Sequence, residues 1–322
     1  MNDTFDCIVC GSCVLDILIR PVPLTEPIGE GTLVDVEPIE VAPGGIVSNA
    51  GIALARLGMN VAAMSYVGDD EWGELLRRRC GAEGIEIRYL IPFPDIPSSV
   101  TAAMIAEDGQ RSFIHCVGAP KRLDKVFFLD RLDAFARSRF ALFGYYPLMP
   151  SLLEDLAEVM AAIRQTGCRT ALDAAGDGGT MQPLERILPH LDLYCPSREE
   201  AAAQTGRNDP REILAAYRGY GAPGILGVKL GSQGALLSPA ADQFVEIEPV
   251  EPPGEVVDTT GAGDTFYAGL LAGLLRGFSA KDAGRLAAAA GACCITGVGA
   301  TAAIRNFDET VRLAGLDPPG NP

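Results

Sequence analysis

Positive charge is scarce in this sequence. Lysine occurs only at Lys121, Lys125, Lys229 and Lys281 in 322 residues. None of them follows a glycine, so the chain has no Walker A loop, in which a lysine closes a glycine-rich turn over nucleotide phosphates. Lysine and arginine number 26 against 42 aspartates and glutamates, a net charge of −16. That balance argues against nucleic acid and anionic membrane as partners, since both are bound through clustered cations. A phosphate-bearing ligand would have to be held by backbone N–H groups, a few cations and a metal ion.

Other features are missing too. The N-terminus has no basic segment followed by an apolar stretch, so it reads as lacking a signal peptide and the protein as cytoplasmic. One uncharged run, Leu286 to Ile304, approaches membrane length. It consists mainly of Ala, Gly, Thr and Cys, with Gly297 and Gly299 interrupting it, and predicts a buried helix running into a loop. Nine cysteines, an odd number, point to reduced thiols rather than a disulfide framework. Cys7, Cys10 and Cys13 have iron–sulfur spacing, but Cys7 to Cys10 reads as a buried strand whose residues three apart face opposite ways. These are expected to be core thiols. His115 and Cys116, adjacent on a predicted strand, diverge in the same way, which speaks against a thiol–imidazole hydrolase.

The most informative stretch present is VVDTTGAGDTFYAGLLAGLLRG, residues 256–277. Val256-Val257 reads as a strand end, Gly261-Ala262-Gly263 as a tight turn, and Asp264 onward as a helix with Phe266, Leu270, Leu271 and Leu274 on its apolar side. Gly277 stops that helix, and Ser279 begins another with Asp282 as its capping-box partner. A glycine turn feeding a helix leaves N–H groups unpaired at the positive end of the helix dipole, which suits phosphate. Asp264 at the lip of such a site would repel phosphate, so it either serves the chemistry or merely caps the helix. Phe266 stands where a dinucleotide fingerprint needs its third glycine, against a nicotinamide enzyme.

Along the chain, Phe5–Cys10 is the first strand, and Asp16 follows beyond its end. Two extended pieces are expected at Val14–Arg20 and Thr32–Val41. A helix opened by Pro43-Gly44-Gly45 carries Asn49, and a strand follows at Val61–Val67. Ser99–Ala106 and Arg111–Val117 form a hairpin around Glu107-Asp108-Gly109. Strands at Phe140–Phe143, Arg169–Asp173, Leu191–Cys195 and Ile225–Val228 alternate with helices at Leu152–Gln165, Arg198–Thr205 and Pro210–Arg218. A second hairpin joins Ala235–Ser238 to Gln243–Ile247. The alternation predicts one α/β unit: a doubly wound, mostly parallel sheet with helices on both faces, plus a small β appendage.

GGIVSN (44–49), VGDDEWG (67–73), KLGSQG (229–234) and DTTGAGDTFYAG (258–269), in this order, closely resemble the ribokinase-like family of carbohydrate kinases, from about residue 5 to about residue 305. The resemblance implies ATP-dependent phosphorylation of a hydroxyl on a sugar or sugar-like compound. The alternatives are a nucleoside kinase or a catalytically silent ligand-binding relative. It further implies Asp264 as base, and Gly261, Ala262, Gly263 and Asp264 as the anion hole. Asp16, Gly44, Gly45 and Asn49 match sugar-binding positions, and Lys229, Gly231 and Gly234 the nucleotide loop. Glu200 matches a glutamate that organises Mg2+, although Ser197 stands where the family has asparagine. Asp258 and the Gly297–Ala300 loop match the region where many relatives bind K+. Segments 14–41 and 99–117 are expected to pair as a lid over the sugar, excluding water that would otherwise consume ATP. Two lids are expected to pack in a homodimer.

Overall fold

A computed structural model describes residues 4–25, 29, 31, 33–107, 109–175 and 178–317. Strand β1 (Phe5–Gly11) lies between β4 (Val61–Gly68) and β8 (Ser138–Gly144), all parallel. The large sheet runs β13-β12-β11-β10-β9-β8-β1-β4-β5. Its remaining members are β5 (Glu86–Phe93), β9 (Arg169–Asp173), β10 (Leu193–Tyr194) and β11 (Ile225–Lys229), which are parallel, and β12 (Ala235–Ser238) and β13 (Val245–Ile247), which are antiparallel. Both faces are covered, and β1 shows why its sequence is apolar from Cys7 to Cys10. Cys7 and Val9 enter one hydrophobic layer, Ile8 and Cys10 the other. The Cys7, Cys10 and Cys13 thiols are buried and unpaired, as expected of core residues.

The first layer is built on α1 (Gly45–Arg56), α2 (Glu71–Ala82), α9 (Ala262–Leu275) and α10 (Ala280–Cys294). The second holds α3 (Lys125–Leu129), α4 (Leu132–Phe135), α5 (Leu156–Gln165), α6 (Met181–Ile187), α7 (Arg198–Thr205) and α8 (Pro210–Gly219). A last helix, α11 (Phe307–Leu313), packs on α10. Helix α9 is buried nearly all round and stops at Gly277, whose φ is +82°. Helix α10 begins at Ser279, which accepts from Asp282 N and donates to its carboxylate.

The predicted lid segments do pair. The second sheet has the order β3-β2-β6-β7, with β2 (Val14–Ile19) parallel to β6 (Ser99–Ile105), and both β3 (Glu40–Gly44) and β7 (Arg111–Cys116) antiparallel to their neighbours. Three expectations need correction. The extended piece at Thr32–Val41 is a strand only from Glu40, and Thr32 lies outside the described residues, as does Asp108 of the predicted turn. Strand β3 runs through Pro43 because it is an edge, where a missing N–H costs no ladder bond. Strand β5 was not expected; it too is an edge, and Glu86, Arg88 and Pro92 disguise its apolar pattern. Val256-Val257 is no strand: both side chains are exposed, and Val257 N bonds only to Ile295 O of a loop.

Candidate active site

The parallel strands reverse their order between β1 and β8, and the candidate site side chains gather beyond the carboxyl ends there, where open α/β sheets place ligands. Gly261, in a left-handed conformation at φ +75°, caps α9. Ala262 N turns back to Thr259 O, while the N–H groups of Gly261, Gly263 and Asp264 have no acceptor among the described residues. Three donors at a helix N-terminus therefore stand free for an anion.

Asp264 lies three residues inside the helix, and its carboxylate does not cap it. Oδ2 accepts from Asn49 Nδ2 at 2.8 Å and from Tyr145 OH at 2.7 Å. The capping alternative is thereby overturned. Both bonds fall on one oxygen, leaving Oδ1 without a donor among the described residues. Burial raises the pKa of Asp264 and the two hydrogen bonds oppose that rise. Asn49 is itself buried, and its Oδ1 has no hydrogen-bond partner. A buried acceptor left open in a polar site is a place for a ligand hydroxyl.

Asp16 comes from β2 of the small sheet and sits against Gly44. A β-carbon at Gly44 would stand 2.0 Å from Asp16 Oδ2, so the glycine makes room for the carboxylate. Gly45 has another reason to be glycine: φ is +73°, and a β-carbon would meet Ser12 O at 2.5 Å. Burial pushes the Asp16 pKa up to about 6, a Thr101 hydrogen bond pulls against it, and the Asp264 charge adds to the rise. Thr101 faces Asp16 across β6 and is bonded in turn to His115 Nδ1 of β7 at 2.9 Å.

Lys229 ends β11 and is no solvated charge. Its Nζ bonds to buried Asp173 Oδ1 at 3.0 Å, and it would stand 3.3 Å from a β-carbon at Gly263. Burial works against its charge, but Asp173 and Glu200 outweigh that and hold it protonated. Gly231 and Gly234 follow at φ +58° and +85°. Open space faces Gly231, whereas a β-carbon at Gly234 would strike Ile247 O. Glu200 is partly committed elsewhere: Oε2 accepts from Ser197 N at 2.7 Å, and Ser197 Oγ accepts from Glu200 N, a capping box on α7. Asp258 is committed further. Oδ1 accepts from Thr260 N and Oγ1 and from Arg111 Nη1, and Oδ2 from Gly299 N. Burial opposes its charge, but these bonds and the Arg111 guanidinium prevail, lowering its pKa.

Sequence reasoning passed over Tyr145, Asp173, Thr101 and Arg111. Tyr145 and Asp173 were within reach, as each stands at or just past the carboxyl end of a predicted strand. Tyr145 adopts φ +60°, a left-handed conformation that costs a bulky residue about 1–2 kcal/mol. Strain of that kind concentrates at functional sites. Arg111 had no local signal at all.

A family model described as pfkB family carbohydrate kinase matches residues 6–306. The chain is 27% identical to a ribokinase of Bacillus subtilis, over 95% of this chain and 98% of that protein. It is 29% identical to an aminoimidazole riboside kinase of Salmonella typhimurium, over 73% of this chain and 74% of that one. Its fold superposes on a solved Arabidopsis thaliana ribokinase, complexed with ribose and ATP, with a TM-score of 0.83, 24% identity and coverage of 98% and 100% of the two chains. With a matched motif order, a shared fold and a matching model over nearly its whole length, the chain belongs to the pfkB family and is an ATP-dependent carbohydrate kinase.

Proposed function

We propose that the protein transfers the γ-phosphoryl group of ATP to a hydroxyl, most simply a primary one, of a sugar or sugar-like substrate, with Asp264 as the base. The observation that carries this reading is the pairing of a buried carboxylate, anchored through Oδ2 alone, with free N–H groups in its own turn. Asn49 and Tyr145 aim Oδ1, which takes the hydroxyl proton as that oxygen attacks phosphorus. The raised pKa makes it a stronger acceptor than a solvated carboxylate. The N–H groups of Gly261, Gly263 and Asp264 stabilise charge on the transferring phosphoryl group, with Lys229 beside them.

Asp16 and Asn49 hold neighbouring hydroxyls of the substrate, and the small sheet covers it as a lid. The backbone over Gly231 and Gly234 receives the nucleotide. Among the described residues no group of three His, Cys, Asp or Glu side chains is placed to hold a metal. That suits Mg2+ carried by the nucleotide phosphates, since this ion takes one or two carboxylates at most alongside phosphate and water. Glu200 and Asp173 are the carboxylates at hand, and the ion would add positive charge at the phosphates. At Asp258, Oδ1 already accepts three hydrogen bonds, one of them from the Arg111 guanidinium, so a potassium ion there would meet a fixed positive charge. The lid also exposes Ile39 and, on opposite faces of β7, Phe113 and Ile114, apolar side chains that support contact with a second lid in a homodimer.

A nucleoside remains the second reading, favoured by the identity to a riboside kinase. Turnover with ATP over ribose, fructose, ketodeoxygluconate, adenosine, inosine and cytidine separates the two. Asp264→Asn keeps an oxygen for Asn49 and Tyr145 but places an amide where Oδ1 was. Turnover should fall about 10²-fold or more with nucleotide affinity little changed. Near-normal turnover of this variant on the true substrate removes Asp264 as base. A protein that turns over none of the panel but binds one member is the silent relative.

A further inference from the structure

Arg111 reaches from the lid to the loop that precedes the anion-hole turn, and it engages three consecutive residues there. Nη1 bonds to Asp258 Oδ1 at 2.6 Å and also to Thr260 Oγ1, while Nη2 bonds to Thr259 Oγ1 at 2.7 Å. The guanidinium is mostly enclosed, with a side-chain exposure of 22%. Behind it, the Cys294 thiol donates toward Ala300 O at 3.2 Å and Thr260 O at 3.4 Å. A hard cation needs several oxygens turned toward it together. Here Asp258 Oδ1 is met by three protein donors, the single Cys294 S–H serves one of the two carbonyls at a time, and a fixed positive charge stands on the carboxylate. The neighbouring Arg20 is held by Glu37 and Glu40 instead.

We propose that Arg111 supplies, from the lid, the positive charge that a potassium ion would bring to the Asp258 loop, so that this protein needs no monovalent cation. This rests on reading the Gly261–Asp264 turn as the phosphoryl site. A guanidinium suits the position because its planar fork spans several oxygens at once, where an ammonium is a point charge. The consequence differs from that of a free ion. Arg111 is in register with Ile105 of β6, and β6 pairs with β2, which carries Asp16. One hydrogen-bonded sheet therefore brings the sugar carboxylate and the loop cation together. Arg111 acts as a positioning residue, braced against the loop only while the lid is down.

The test is thermal unfolding of the full chain in 150 mM KCl against 150 mM tetramethylammonium chloride, with turnover measured in the same buffers. The wild-type midpoint and turnover should not depend on which cation is present. Arg111→Gln should lose turnover, on the order of 10²-fold if the turn shifts by about 1 Å. Its vacated loop should then be stabilised by K+ and regain turnover in it. Potassium-specific stabilisation or severalfold activation of the wild type overturns the proposal, as does full turnover of Arg111→Gln without K+. If that variant does not fold, the wild-type titration decides alone. The unfolding measurement needs no substrate, so a failure here is distinct from failure to phosphorylate any sugar.

Discussion

Gly44→Ala gives a direct test of the sugar site, because the three atoms nearest the added methyl all belong to Asp16. Backbone φ and ψ at Gly44 are −141° and −173°, extended values that any residue adopts. The new methyl would lie 2.0 Å from Oδ2 and 2.6 Å from Cγ of Asp16. Non-bonded contact begins near about 3.5 Å, so the carboxylate must retreat by roughly 1 Å or more. Turning it off its rotamer costs about 0.5–1.5 kcal/mol, a small loss of stability. A 1 Å misplacement of a positioning group costs about 10²-fold in rate, close to 2.7 kcal/mol. Gly44→Ala should therefore lower kcat/KM by about 10²-fold, read by ADP release on the sugar that the substrate panel identifies. In an Asp16→Ala background, where those three atoms are gone, the same substitution should cost little. Equal losses in both backgrounds would show that Gly44 acts independently of Asp16 and would refute the reasoning.

Two further outcomes follow from the site and the lid. With its pKa pushed up to about 6 by burial, Asp16 in the free enzyme should ionise only above that pH. KM for the sugar should rise as pH falls through 6, and Asp16→Asn should flatten the profile; a pH-independent KM in the wild type removes the carboxylate from binding. The stability sign is opposite to that of a salt-bridged aspartate: the group's contribution is complete below about pH 4 and is lost as pH rises through 6. For the exposed apolar lid, light scattering should give about twice the chain mass of 33.9 kDa, and a monomer across working concentrations eliminates the dimer.

How much was legible beforehand divides along a physical line. Features written in short stretches of sequence could be read there. The turn at Gly261, the stop at Gly277, the cap at Ser279 and the strand–helix alternation depend on φ/ψ preference and hydrogen bonds spanning a few residues. The recurrent motifs added the kinase fold and the site positions. Edge strands were harder, because β5 mixes charge and proline into its pattern and β3 needed its partner to reveal where it begins. What the tertiary structure alone decided is which polar groups meet. Asn49 donates to a carboxylate 215 positions later, Tyr145 to the same oxygen from 119 positions away, and Arg111 reaches 147 positions to Asp258. No local preference encodes such pairs: they arise when two sheets and their helices pack, and each buried charge must then find a partner among whatever the fold brings within reach.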